Sequence, residues 1–388
     1  MPKNDFDTTN RPIKFSAEKN MKLFILVSYF ISFNLLSGTP EKGDIDFKLD
    51  GKYKNLVHPK ESILKNLPDS SDVEAMIELQ TPVKTQGNRG TCTIFSTTAH
   101  LEAIYMMLYK PNTYPDFSEE WLQFINIANR EDIGEGSNTP RNIFLSMKHG
   151  LVNEKDWRYD PNDWTEYPKT SPQFRYCNKI HKEDIPLKRC LLAHGDPNLI
   201  LGESDTLRKD HQKFVQLADT AKVLKQDFLL KHFVKNIRSL TTVGQIKYLL
   251  ASGTPITLGI DFYYGSWNHR KSDEFGIGRD LNAFDNGFVS YPEIGSVDRI
   301  ESEKKGSGHA VLVVGYDDNI VITSKIKMTN GEYKQFKYRG AYIIKNSWGT
   351  ESLGKDFMYK GKKYPGYAYI TYKYAHQFGG FFDLPYSR

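Results

Sequence analysis

The segment Gln86-Gly87-Asn88-Arg89-Gly90-Thr91-Cys92-Thr93-Ile94-Phe95-Ser96 constrains this chain more than any other. A glycine-rich turn delivers a cysteine to the start of a run in which Phe95, Ala99, Ala103 and Met106 or Met107 recur at helical spacing. The pattern predicts an amphipathic helix over 92–110, ended by Pro111. A cysteine on the first turn lies at the positive end of the helix dipole, which favours thiolate over thiol. Gln86, six residues upstream, can donate an amide N–H toward an oxyanion developing beside that sulfur. Taken alone, such a cysteine is more often a small buried hydrophobe.

Two later segments change that balance: Gly308-His309-Ala310-Val311-Leu312-Val313-Val314-Gly315-Tyr316 and Ile343-Ile344-Lys345-Asn346-Ser347-Trp348-Gly349. With the first, they supply Gln, Cys, His and Asn in that order. The chain thereby resembles the papain-like cysteine peptidases over roughly residues 66–375, apart from a large insertion. The resemblance implies an α+β fold of two lobes, one helical and one an antiparallel barrel-like sheet, with the active-site cleft between them. It implies that Cys92 is the nucleophile, His309 its base and acid, Asn346 the orienting amide and Gln86 the oxyanion donor. Trp348, two residues after Asn346, is then the indole that shields the Asn–His hydrogen bond.

The chemistry these residue types carry is thioester acyl transfer. An imidazolium and a helix N-terminus together lower a thiol pKa, so Cys92 and His309 are expected to form a thiolate–imidazolium pair. The thiolate attacks a peptide carbonyl, Gln86 and the Cys92 N–H hold the oxyanion, and His309 protonates the leaving amine before activating water. Asn346 fixes the ring without adding a second charge. Peptide or protein substrates and proteinaceous inhibitors are the implied partners, and no cofactor or metal is implied. Endopeptidase is the default activity, unless the insertion caps the cleft and makes an exopeptidase. Two other classes stay open, a pseudoenzyme or peptide-binding module and an acyl transferase using the same thioester. No Gly-x-Ser-x-Gly elbow or His-Glu-x-x-His helix supports another hydrolase class.

The chain also departs from the family pattern. Arg89 stands where the family often has a cysteine, and the loop to which that cysteine would bridge, residues 134–138, has none. Thr93 replaces a common tryptophan, and Ser352-Leu353-Gly354 stands near the place of another. His309 follows Cys92 by 217 residues, which the insertion at about 155–240 and a long loop at 262–285 account for. The floor of the specificity pocket is expected from residues 376–382.

Composition fits an exported enzyme. Of 388 residues, 23 are Tyr and 23 Phe, and the formal charge of +5 shows no basic stripe or module that would read as nucleic-acid binding. Lys19 and Lys22 precede an apolar run, 23–36, too short to span a bilayer but suited to a signal peptide. Residues 1–38 are therefore read as an N-terminal extension and signal peptide, with Met21 the initiator and cleavage near Gly38. The product is secreted, periplasmic or lumenal, with no stable membrane insertion after cleavage. Residues 39–65 read as a short leader or propeptide-like segment, and 66–388 as the peptidase domain. Oligomeric state is not legible. In an oxidising compartment Cys177 and Cys190 are expected to pair. Two unpaired thiols, or a structural zinc held with His181 and His194, are the alternatives.

Coarser patterns complete the reading. Ser118 caps a helix start, and 142–148 forms a short helix closed by Gly150. In the insertion, Phe214, Leu217, Ala218, Ala221, Leu224 and Phe228 hold one helical face, opposite solvated Lys213, Lys222 and Lys225. It reads as a segment packed on the catalytic domain, with a lid or docking surface as alternatives. A helix at 243–250, strands at 254–260, 310–314, 341–345 and 366–372, and a strand at 286–289 just before the histidine build the second lobe.

Overall fold

A computed structural model of the chain describes residues 66–387, apart from 131, 201, 203–210 and 234–236. The signal peptide, the Met21 start and the leader lie outside the described residues. No helix among the described residues is long and apolar enough to cross a membrane.

The first lobe is helical. After α1 (Val73–Glu78) come α2 (Cys92–Tyr109), α3 (Glu119–Ala128) and α4 (Thr139–His149). The insertion then adds α5 (Pro172–Ile180), α6 (Asp184–Ala193) and α7 (Gln212–Leu224), the last continuing through a π-turn at Lys225–Leu229. Ser118 caps α3 by accepting from the Trp121 N–H, as its place in the sequence predicts. Asn138 caps α4 likewise, and Gly150 ends it.

Helix α2 is not amphipathic in the way its spacing predicts. Residues on every side of it are buried from Cys92 to Ile104, including Thr97, Thr98, His100 and Glu102. The cause is its central place, with strand β4 (Gly308–Lys327) of the sheet on one side and α3 and α4 on the other. Some of its polar side chains are satisfied internally: Thr97 Oγ1 donates to Thr93 O, and Glu102 accepts from Thr81 and Lys84, whereas both ring nitrogens of buried His100 lack a hydrogen-bond partner among the described residues.

The second lobe is one seven-stranded sheet with α8 (Val243–Ala251) packed on it. Its strands are β1 (Arg238–Leu240), β2 (Ile256–Asp261), β3 (Phe288–Val289), β4 (Gly308–Lys327), β5 (Tyr333–Lys345), β8 (Tyr367–Thr371) and β9 (Gly379–Asp383). The short β6 (Met358–Tyr359) and β7 (Lys362–Lys363) pair apart from it. The order β1-β9-β2-β4-β5-β8-β3 is antiparallel except for β3, which runs parallel to β8. Its core holds Val311 to Val314, Tyr342 to Ile344 and Ile370, all close to fully buried, as continuous apolar runs require. The strand expected just before the histidine is only these two residues of β3, and α9 (Val297–Lys305) separates it from His309. The loop at 262–285 likewise holds short helices at Lys271–Glu274 and Leu281–Asp285.

Cys177 and Cys190 form a disulfide that joins α5 to α6. With both sulfurs bonded, the zinc alternative fails. The two histidines are also placed elsewhere: His181 Nε2 lies 3.0 Å from Asp196, and His194 stacks on Trp164.

Candidate active site

Cys92 is the first residue of α2, and its N-cap Thr91 makes no side-chain capping bond. The Ile94 N–H donates to the Thr91 carbonyl, while no cap side chain takes the N–H groups of Cys92 and Thr93. Burial pushes the Cys92 thiol up, while the backbone N–H groups of Ala310, Thr93 and Cys92 itself pull it down. The Ala310 contact places the sulfur beside the start of β4, where His309 stands.

His309 Nε2 lies 2.9 Å from Asn346 Oδ1. An amide oxygen only accepts, so Nε2 carries the proton and Nδ1 is left bare as a base. Trp348 stacks on the imidazole with centroids 4.8 Å apart. Trp267 and Phe262 close the ring in from other sides, edge-on, at 5.1 and 5.9 Å. Of this aromatic box the sequence announces Trp348, while Trp267 and Phe262 lie in a loop that gives no signal.

Burial lowers the His309 pKa to about 4, against the Asn346 bond that raises it, with nearby His269 adding to the fall. Taken singly, then, both groups are pushed toward their neutral forms. Burial works against the expected thiolate–imidazolium pair, which persists only as far as contact between opposite charges offsets the loss of hydration. For the neutral pair one consequence follows. A neutral imidazole is needed to take the thiol proton, and lowering its pKa from 6.5 extends the competent range downward. Alkylation of Cys92 is therefore expected to hold through pH 6 and fall as pH drops through about 4. A pH–rate profile with iodoacetamide measures this, and an acid limb centred near 6.5 would contradict it.

Gln86 is held from both ends of its amide. Its Nε2 donates to Arg89 O at 2.7 Å, and its Oε1 accepts from Ser347 Oγ at 2.7 Å. The second Nε2 hydrogen has no such partner among the described residues, and Gln86 lines the cleft together with Cys92 and His309. Residues 84–86 run antiparallel to 347–349: Gln86 N donates to Ser347 O, and Gly349 N to Lys84 O. One short ladder thus links the turn before Cys92 to the turn after Asn346. Next to it, buried Lys345 donates to Thr81 O.

The turn itself requires its glycine. Gly87 has φ +61°, and a Cβ there would come within 2.5 Å of Pro161. Where the family's disulfide is missing, Arg89 Nε donates to Glu135 Oε1 at 2.6 Å, and Glu135 Oε2 accepts from the Gly90 N–H. An ion pair joins the two loops in place of a covalent bond.

The cleft measures about 1420 Å³ and is lined by both lobes. Register places Ala310, Gly259 and Gly380 side by side on β4, β2 and β9. A Cβ added at Gly259 would meet nothing within 4 Å, so this wall is recessed. Phe378 and Phe382, from the stretch expected to form the pocket floor, line the cleft beside it.

Residues 67–196 match the model of the papain family cysteine proteases. The match runs through residues 155–196, the first half of the segment read as an insertion. No curated protein matches the chain in sequence. Among solved structures, xylellain, a cysteine protease from Xylella fastidiosa, is similar over 86% of this chain and 91% of its own, at 20% identity and a TM-score of 0.50. Cwp84, a surface layer associated protein of Clostridium difficile, is similar over 83% and 52%, at 18% identity and a TM-score of 0.45. The bromelain protease of Ananas comosus is similar over 83% and 100%, at 14% identity and a TM-score of 0.41. The family match is confined to residues 67–196, and the likeness to xylellain shows a shared fold.

Proposed function

We propose that the chain is an exported endopeptidase in which Cys92 is the nucleophile, His309 the base and acid, Asn346 the orienting amide and Gln86 an oxyanion donor. The observation that carries this reading is the His309–Asn346 bond, because it leaves a bare Nδ1 in the cleft that Cys92 also lines. The proton of the thiol passes to Nδ1 and the sulfur forms a bond to the peptide carbonyl carbon. The carbonyl π pair moves to oxygen, where the Cys92 N–H and the second Gln86 N–H meet it. Collapse returns that pair, breaks the C–N bond and sends the imidazolium proton to the leaving amine. Water, deprotonated by Nδ1, then attacks the thioester and releases the acid and the thiol.

A cleft of this volume admits several residues of an extended peptide, and its recessed wall suits a bulky side chain. That supports internal cleavage. The buried disulfide between Cys177 and Cys190 supports an oxidising compartment, in keeping with a signal peptide at residues 1–38.

A library of peptides blocked at both ends, with products read by mass spectrometry, tests the activity. Internal cuts are expected, absent in Cys92→Ala. If only unblocked peptides lose terminal residues, the enzyme is an exopeptidase. Binding without cleavage would make the chain a peptide-binding module, and products carrying an added amine rather than water would make it a transferase.

A further inference from the structure

The side chain of Arg89 has no solvent-accessible surface, yet it lies three residues from the candidate nucleophile. Its guanidinium is met from four stretches of chain. Nε donates to Glu135, and Nη1 donates to Glu120 Oε2 at 2.8 Å on α3 and to Asp160 O at 3.1 Å. Nη2 donates to Leu192 O at 2.9 Å on α6. Glu120 is itself 3.1 Å from His194, just past the end of α6. Tyr159 lies against the guanidinium, 5.1 Å from ring centroid to Cζ, and its hydroxyl donates to Gln86 O.

Burying a guanidinium with two carboxylates gains little net stability over an apolar cluster of the same size. What the arrangement provides is position. The fork of an arginine fixes direction as well as distance, and here it fixes the backbone of its own residue. The Arg89 carbonyl is the acceptor that holds the Gln86 amide. Glu135 bonds the guanidinium with one oxygen and the next N–H of the turn with the other.

We propose that Arg89 is a positioning residue for the oxyanion site. Clamped by Glu120, Glu135, Asp160 and Leu192, it sets the carbonyl that orients the Gln86 amide, leaving one N–H aimed into the cleft. Residues 155–196, some of which also line the cleft, then act on turnover through this clamp. The Cys177–Cys190 bond, four residues before His194 on α6, secures the far side of it.

This inference rests on the peptidase reading, and the test separates the two. Three quantities are compared in wild type, Arg89→Lys and Glu135→Gln: kcat and KM on a peptide, affinity for a peptide aldehyde, and the rate of Cys92 alkylation by iodoacetamide. Hydrolysis and the aldehyde adduct both place negative charge on oxygen, whereas alkylation does not. Arg89→Lys is expected to lower kcat about 10- to 100-fold and aldehyde affinity in parallel, with KM and alkylation within about threefold of wild type. Glu135→Gln keeps an acceptor for Arg89 and should show the same signature at smaller size, so it carries the test if Arg89→Lys does not fold. If alkylation falls together with kcat, or if no quantity changes, the positioning role is overturned. If wild type is alkylated but neither hydrolyses peptides nor binds the aldehyde, the peptidase reading falls and takes this one with it.

Discussion

Replacing Cys92 with alanine is expected to lower kcat for peptide hydrolysis by about five to six powers of ten. The size of the effect follows from the chemistry. Without sulfur no thioester forms, and the remaining groups can only orient substrate and water. The fold should survive the change, because a small, nearly buried side chain loses one heavy atom at a helix end. A cost of about 1 kcal/mol or less is expected. Thermal unfolding of the variant checks this, so that lost activity is not mistaken for lost structure. His309→Ala should approach the same floor, since it removes the bare Nδ1 and leaves the thiol without a base. Hydrolysis by Cys92→Ala within about a hundredfold of wild type would mean that another group does the work.

The second large effect belongs to Gln86. Gln86→Ala is expected to lower kcat about 10²- to 10³-fold with little change in KM. The charge it meets develops only as the carbonyl is attacked, so ground-state binding is hardly touched. Gln86→Glu should be at least as damaging. It keeps the acceptor for Ser347 Oγ but loses the donor and puts a negative charge beside the oxyanion. Alkylation of Cys92 by a small haloacetamide should be nearly unaffected by either change. If Gln86→Ala instead raises KM and spares kcat, the glutamine binds substrate and does not stabilise the intermediate.

The site was legible where its signals are local. Cys92, His309, Asn346 and Trp348 each sit in a short stretch whose glycines and apolar neighbours announce a helix start, a buried strand or a turn. The bonds around Gln86 could not be read, since they join residues 86, 89 and 347 across the sequence. Arg89 registered in the sequence only as a missing cysteine. Its partners at 120, 135, 160 and 192 share no motif, and their meeting depends on how α3 and α6 pack. The same holds for Trp267 and Phe262 around His309, which come from a loop without periodicity.

The fold shows a similar division. The strands from 310 to 314 and from 341 to 345 announced themselves as unbroken apolar runs. Helix α2 did not behave as its spacing predicts, because a helix enclosed on all sides needs no polar face, and its Thr97 and Glu102 side chains are paired inside. The disulfide between Cys177 and Cys190 was one of three open readings, and spacing could not choose among them. The choice depends on whether α5 and α6 bring the two residues together.

The central claim is that Cys92 is a nucleophile activated by His309, and covalent trapping tests it most directly. The folded protein is incubated at neutral pH with a peptidyl epoxysuccinate, digested without reduction and mapped by mass spectrometry. The account predicts one adduct per chain, on Cys92, formed at a rate that drops sharply in His309→Ala, with Cys177 and Cys190 unlabelled in their bridge. No adduct on the folded protein, or labelling of Cys92 at the same rate without His309, would contradict it.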